Sequence, residues 1–441
     1  MIRRLASAIR DRLPYSLIHG SAPYRDYLRL LRQLETRSTE EIRAWQLKRL
    51  RALLQRAVEQ TDFYREHYRA AGVGPEDLRG LEDLARFPVI TKEEVREHGR
   101  RMICRDLSAG RLHEVHTSGS TGAPLILYVD VAAAARERAA VVHQWMRTGY
   151  RDGAGRVEFR GLVESGDLFQ DFRRDRVLRV NVNRMEPADL PELLDGLARC
   201  PHPFWHGYPH ALERLARLLE PQGLPARVHP PRAILLASEL VTDGLVELLM
   251  RVFPASRLYA HYGLAERVAL GGWIDESRAY HFLPGYGVVE VDEMGRLIGT
   301  SLINDAMPLI RYRTTDLLGG FNPGPTLHPG LFPVAERVEG REHDNLRTTA
   351  GAFVSPGLLY HCFKDGVSYL ACRVIQHSLT RLEVQVERRL PEAEVRTEFS
   401  GIAARLKAVF GAGMVVDLTL LEHIPRQPSG KFKWVESRLP S

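Results

Sequence analysis

Residues 117 to 122 read Thr-Ser-Gly-Ser-Thr-Gly, and no other stretch restricts the architecture of the chain so sharply. Two glycines and four hydroxyl side chains cannot settle in a helix or a strand interior, where glycine costs conformational entropy. They can form a tight loop whose backbone N–H groups point inward, as a polyphosphate requires. Leu112 to His116 before it is short and partly apolar, and Pro124 to Val129 after it is strand-like. A loop between two strands differs from a P-loop, which leads into a helix, and the lysine of G-x-x-x-x-G-K-[ST] is missing. Taken alone, the hexapeptide reads equally as a phosphate loop or as a surface turn.

The loop sits in a chain of 441 residues, enough for two or three domains with separate cores. A formal net charge of +6 suits an anionic small ligand and does not call for nucleic acid. Cys104, Cys200, Cys362 and Cys372 form no C-x-x-C pair and no disulfide framework, which makes a reducing cytoplasm the simplest setting. His361, Cys362, Cys372 and His377 cluster loosely enough to hold a metal, but fit no standard zinc spacing. No apolar run approaches the roughly 20 residues that span a bilayer. Met1 to Leu13 alternates Arg with Ile2, Leu5, Ile9 and Leu13, like a short basic amphipathic helix. It lacks the apolar core and cleavage site of a signal peptide. It allows a peripheral membrane contact, and a plain surface helix is the simpler reading.

Periodicity gives the order of elements. Residues 38 to 71 read as one long helix, opened by the capping box Ser38/Glu41 and ended by Gly72. A second box, Thr91/Glu94, follows, so the first 110 residues form a mainly helical lead-in. Helices are expected over Ala132 to Met146, Leu190 to Leu197, Ala211 to Leu219 and Asp243 to Val252. They alternate with strands at Arg156 to Leu162, Val177 to Val182, Arg232 to Ala237 and Arg257 to His261, a pattern that implies a parallel or mixed sheet. After about residue 280 the texture is β: Gly287 to Val291, Leu297 to Asn304 and Pro308 to Arg313. Residues 343 to 441 alternate strands with a helix near Glu392 to Phe410 and read as a small α+β domain.

Four further segments carry chemistry. In His261-Tyr-Gly-Leu-Ala-Glu266, Gly263 clears space for the Tyr262 ring to lie on a flat base, and Glu266 can reach a phosphate-bound magnesium ion. In Ile310-Arg-Tyr-Arg-Thr-Thr-Asp316, the aspartate is expected at a strand end, where it either accepts from two ribose hydroxyls or caps its own turn. Gly340-Arg-Glu-His-Asp344 marks the change to C-terminal texture and reads as a linker or a hinge. Pro425-Arg-Gln-Pro-Ser-Gly-Lys431 places a lysine on a glycine-bearing loop, where it either faces solvent or neutralises phosphate charge.

Together and in this order, the five segments resemble the adenylate-forming superfamily of acyl- and aryl-CoA synthetases and luciferases. Gly299-Thr-Ser-Leu-Ile-Asn and Met307-Pro-Leu-Ile-Arg-Tyr-Arg are most similar to the phenylacetate–CoA ligase-like branch, which includes capsular-polysaccharide-associated relatives. The resemblance spans roughly residues 40 to 435. It implies an α/β fold: a large N-terminal domain of mixed sheets layered with helices plus a β-rich subdomain, residues 1–342, and a small mobile α+β lid, residues 343–441. It implies that Thr117, Ser118, Gly119, Ser120, Thr121 and Gly122 grip the β- and γ-phosphates of ATP. Ser238 and Glu239 would line the adenine pocket, Tyr262 would stack on adenine beside Gly263, and Asp316 would hold the ribose hydroxyls. Glu266 would bind Mg²⁺, Arg341 would lie by the hinge and phosphates, and Lys431 would contact the substrate carboxylate and α-phosphate.

The sequence departs from the pattern at Ala265, which lacks the usual hydroxyl; at Thr315, which replaces a glycine and is expected to strain its turn; and at His343, where the hinge commonly has Asp or Lys. The implied reaction is formation of an acyl-AMP with release of pyrophosphate, then capture by a thiol, either coenzyme A or a carrier-protein arm. The alternatives are capture by an amine and a non-catalytic nucleotide- or acyl-binding relative. Trp205, His206, Tyr208 and Pro209 begin a helix where the acyl pocket usually lies, and core packing explains them equally well.

Overall fold

The computed structural model describes residues 20–439, apart from 108–109, 111, 118–124, 162, 164–165, 222, 275, 325–327, 329, 364–365 and 428–429. The chain forms two compact units. One comprises the stretch to Asp152 together with His261–Val338; the other comprises Gly153–Ala260 together with Glu339–Ser441.

In the first unit, both expected capping boxes form, at Ser38/Glu41 and Thr91/Glu94. The long helix expected over 38–71 is two helices, Thr39–Gln60 and Asp62–Ala71. Thr61 breaks it: its backbone is extended, its N–H and hydroxyl both donate to the Ala57 carbonyl at the end of the first helix, and the hydroxyl accepts from the Tyr64 N–H at the start of the second. Gly72 ends the pair in the left-handed conformation. Leu50, Leu53 and Leu54 from the first helix and Tyr64 and Tyr68 from the second meet Phe87, Phe282, Leu297 and Tyr312 in one buried core.

The strands of this unit run in the order Gly287–Val291, Arg296–Ser301, Tyr312–Asn322, Val334–Arg341, Tyr280–Phe282, Leu270–Gly272. The strand expected over Pro308 to Arg313 instead begins at Tyr312 and runs on to Asn322. Arg311, at φ 52°, interrupts the extended run just before it. Asp316 therefore lies within a strand and not at its end, and Thr315 occupies extended backbone that suits a β-branched residue, so no turn is strained there.

In the second unit, the strands order as Ala233–Ala237, Phe204–Gly207, Arg156–Phe159, Val177–Val180 and Phe169–Phe172. The first four pair in parallel and the last is an antiparallel edge. Trp205 and His206 are in a strand, not at a helix start; the helix is Pro209–Leu219, with proline at its first position, where no N–H is needed. Trp205 is buried between Phe159 and Phe253, with ring centroids 5.2 and 5.4 Å away, and is core. The C-terminal part is a four-stranded sheet in the order Val415–Leu421, Arg381–Arg388, Tyr369–Ser378, Val435–Ser437. With the helix Glu392–Phe410 it encloses a core of its own that includes Phe363, Val384, Ile402 and Leu406. No described helix is long and apolar enough to cross a membrane, and the amphipathic segment Met1 to Leu13 lies outside the described residues.

Candidate active site

Strand Leu112–His116 pairs antiparallel with Ile126–Asp130, His116 opposite Ile126, so the hexapeptide belongs to the connection of a strand hairpin. Thr117 closes it: its N–H donates to the Leu125 carbonyl and its hydroxyl accepts from the Leu125 N–H, each at 3.0 Å. Ser118, Gly119, Ser120, Thr121 and Gly122 lie outside the described residues. The hairpin residues Val115, Leu127 and Tyr128 pack into the same core as Tyr262 and Tyr312.

The structure joins Tyr262 to Asp316: the phenol donates to the carboxylate at 2.6 Å. Asp316 is buried, and its own N–H donates to the Thr314 hydroxyl. The Tyr262 ring meets Phe282 edge-on, with centroids 6.1 Å apart. Glu266 belongs to a different contact, accepting from the Tyr312 phenol at 3.3 Å. Burial, reinforced by the Glu266 charge, pushes the Tyr312 phenol well above its usual pKa, so it stays a donor. A single carboxylate at Glu266 supplies a hard oxygen donor, which fits a magnesium ion carried mainly by nucleotide phosphates and not a protein cage.

In the second unit, Ser238 follows strand Ala233–Ala237 with φ 74°, a left-handed conformation that strains a residue other than glycine. Glu239, next along, accepts from the Phe432 N–H at 3.1 Å and from the His210 N–H at 3.3 Å. The Lys431 loop therefore lies against the end of this strand. It is tight: the Gln427 N–H donates to the Lys431 carbonyl at 2.9 Å, and Gly430 has φ 81°. A Cβ on Gly430 would meet Val182 at 3.1 Å and Gly161 at 3.4 Å, a tight approach that, with the positive φ, disfavours a side chain. Arg373, from strand Tyr369–Ser378, fastens both ends of the loop through the carbonyls of Lys433 (2.9 Å) and Pro425 (2.6 Å). Arg426 adds positive charge; burial, with Arg214 nearby, pulls its pKa down to about 10. Arg341 ends strand Val334–Arg341, and His343 lies in the turn Glu342–Asp344 that follows.

His210 and Arg373 were not legible as site residues. His210 had a signal, as the residue after Pro209 at a helix start; Arg373 had none. The loose set His361, Cys362, Cys372 and His377 does not gather around a metal. Cys362 is buried in the C-terminal core and His377 pairs with Glu383 at 2.8 Å. Among the described residues, the grouped metal-type side chains are Glu186, Glu387 and His423. Arg214, 2.6 Å from Glu387 and hydrogen-bonded to Glu186, already balances that charge.

The CapK C-terminal domain family matches residues 346–438. Phenylacetate-coenzyme A ligase of Escherichia coli K12 is 37% identical over 362 residues, covering 71% of this chain and 74% of the relative. The enzyme of the same name from Thermus thermophilus is 28% identical over 423 residues, covering 83% and 84%. Among solved structures, 2-hydroxyisobutyryl-CoA ligase in the postadenylation state aligns with a TM-score of 0.71 at 19% identity over 92% of each chain. The fold is therefore that of an adenylate-forming acyl-CoA ligase. The chain belongs to the phenylacetate–coenzyme A ligase family.

Proposed function

We propose that this chain uses ATP to activate a carboxylic acid as an acyl-AMP, releasing pyrophosphate, and then transfers the acyl group to coenzyme A. The reaction class, an AMP-forming acid–thiol ligase, is that of its family. Free carboxylates resist thiol attack because oxide would have to leave. Attack of the carboxylate on the α-phosphorus of ATP exchanges that for AMP, a good leaving group. The chemistry asks the protein for positioning and charge neutralisation.

The observation that carries the residue-level reading is the hydrogen bond from the Phe432 N–H, next to Lys431, to Glu239. In this reading Lys431 meets the substrate carboxylate and α-phosphate, where it offsets developing negative charge. Thr117 through Gly122 hold the β- and γ-phosphates. Tyr262 stacks on adenine with Gly263 leaving room, Asp316 accepts from the ribose hydroxyls, and Ser238 and Glu239 border the base. Arg341 serves the phosphates and the hinge, and Glu266 holds the magnesium ion, which would supply further neutralisation of phosphate charge. Residues 343–441 act as a lid on 1–342 and carry the lysine away once the adenylate has formed. A cytoplasmic setting suits the demand for ATP and coenzyme A; a carrier-protein arm or an amine is the alternative acceptor.

The test is pyrophosphate release over a panel of carboxylic acids, with phenylacetate first because the named relatives act on it, followed by product analysis with coenzyme A against amines. Lys431→Ala is expected to slow release by about 10²- to 10³-fold. Absence of acid-dependent release for every acid would count against the activity. An unchanged rate in Lys431→Ala would remove the role given to that lysine.

A further inference from the structure

The structure assigns Glu239 and His210 a positioning role: together they seat the Lys431 loop for the first half-reaction and not for the second. This rests on the reading of Lys431 given above. Both Glu239 oxygens are engaged. Oε1 accepts the N–H of Phe432, the residue directly after the lysine, at 3.1 Å. Oε2 accepts the His210 N–H at 3.3 Å and also meets His210 Nδ1 in a short hydrogen bond. The His210 ring then packs on the Phe432 ring, with centroids 5.4 Å apart, and is backed by Tyr208 at 6.0 Å. Phe432 is thus held by its amide and by its ring, one bond from the lysine that needs placing.

The surroundings make this seat specific. The Glu239 and His210 side chains are 12% and 13% exposed, so each contact forms in a largely dry place where hydrogen bonds to a carboxylate are strong. The left-handed turn at Ser238 is backbone strain that ordinary strand termination does not need; strain of this kind concentrates at functional sites. Arg373 shapes the loop from within its own C-terminal sheet, so it would travel with the loop. Glu239 and His210 belong to the Gly153–Ala260 stretch and would stay behind. Their contacts exist only while the lysine is seated. A residue that merely bordered adenine would serve substrate, adenylate and product alike.

The test uses the full chain and an acid that supports turnover, and measures two rates. One is acid-dependent pyrophosphate release; the other is conversion of supplied acyl-AMP to thioester by coenzyme A. Glu239→Ala is expected to lower the ratio of the first rate to the second about 10-fold, the scale of a small misplacement of a reacting group. Glu239→Gln should recover part of the ratio, because its amide oxygen still accepts from Phe432. His210→Asn should shift the ratio in the same direction by less. Hydrogen–deuterium exchange over residues 425–434 supplies a second readout: exchange at the Phe432 amide should accelerate in Glu239→Ala and stay slow in Lys431→Ala. Equal losses in both half-reactions with a raised KM for ATP would overturn the proposal, placing Glu239 in nucleotide binding alone. Unchanged exchange in Glu239→Ala would overturn it as well, and Glu239→Leu, which also removes the acceptor, decides that point if Glu239→Ala fails to fold. Normal adenylation by Lys431→Ala would instead strike the functional reading, leaving the exchange result to decide the docking.

Discussion

The two units hold their candidate residues by different means. In the first, Tyr262 and Tyr312 are embedded in an aromatic and aliphatic core, and their phenols donate to Asp316 and Glu266. In the second, charged and polar contacts fasten the C-terminal residues to the Gly153–Ala260 stretch. Arg214 lies 2.6 Å from Glu387, with their side chains 1% and 3% exposed. Arg217 donates to the Gly366 carbonyl at 2.8 Å and lies over the Tyr369 ring, and Arg389 reaches Glu220 at 3.2 Å. Separating an apolar face costs about 25 cal/mol for each Å² exposed, with nothing returned. Separating ion pairs returns each partner to water, which offsets most of the loss. An aromatic core suits a fixed nucleotide platform; a charged seam suits a surface that docks and releases.

The comparison breaks most readily at Arg214. Arg214→Ala strands the Glu387 carboxylate in a buried site, and the expected cost is about 3 to 5 kcal/mol in denaturant unfolding. Pairing Arg214→Met with Glu387→Leu should recover most of that, because a packed apolar pair needs no desolvation. A single-variant cost near zero would mean that the seam is ornamental. In the first unit, Tyr262→Phe removes one donor from buried Asp316, and about 1 to 3 kcal/mol should be lost in thermal unfolding, with weaker ATP binding.

Gly430→Ala separates fold from seat. Its φ of 81° disfavours a side chain by about 1 to 2 kcal/mol, and the new Cβ would sit 3.1 Å from Val182. Because the loop can lift to relieve that contact, adenylation should fall by more than the melting temperature suggests. Equal effects on both would show that the loop is bound into the fold as firmly as the core.

Much of the fold was written locally. The helices Asp243–Val252 and Glu392–Phe410 have the bounds that their periodicity gives, and the capping boxes form because their parts lie three residues apart. Thr61 was misread because a hydroxyl inside an apolar period can cap a new helix as readily as continue the old one. The strand through Asp316 was misplaced because Pro308 to Arg313 has strand-like composition, while the left-handed Arg311 answers to long-range contacts with Glu290 and the Phe87 carbonyl. The site was legible as motifs but not as contacts. Tyr262 and Asp316 are 54 positions apart, and Glu239 and Phe432 are 193 apart. No periodicity encodes such pairings.

The smallest effect expected is one of pH, and it distinguishes the two units. Burial chiefly holds the His210 imidazole below its usual pKa, against the pull of Glu239 and Glu213 and with Arg426 reinforcing it. A histidine depressed in the fold is neutral there, so its contribution is fully present above the unfolded value of about 6.5 and is lost as pH falls below it. In the first unit, burial would raise the Asp305 carboxyl, but Arg49 and Arg136 outweigh it and hold the group low. That contribution is present above about 3.9 and is lost only in stronger acid. Lowering the pH from about 7 to about 5 should therefore loosen the seat around Phe432 while the Asp305 contacts persist. Exchange rates corrected for intrinsic pH dependence would show protection falling at the Phe432 amide and holding at the amide of Ala306, the residue after Asp305, which donates to the Asn304 side-chain oxygen. Protection lost together at both amides would mean that the seat around Phe432 and the Asp305 contacts do not respond to acid separately.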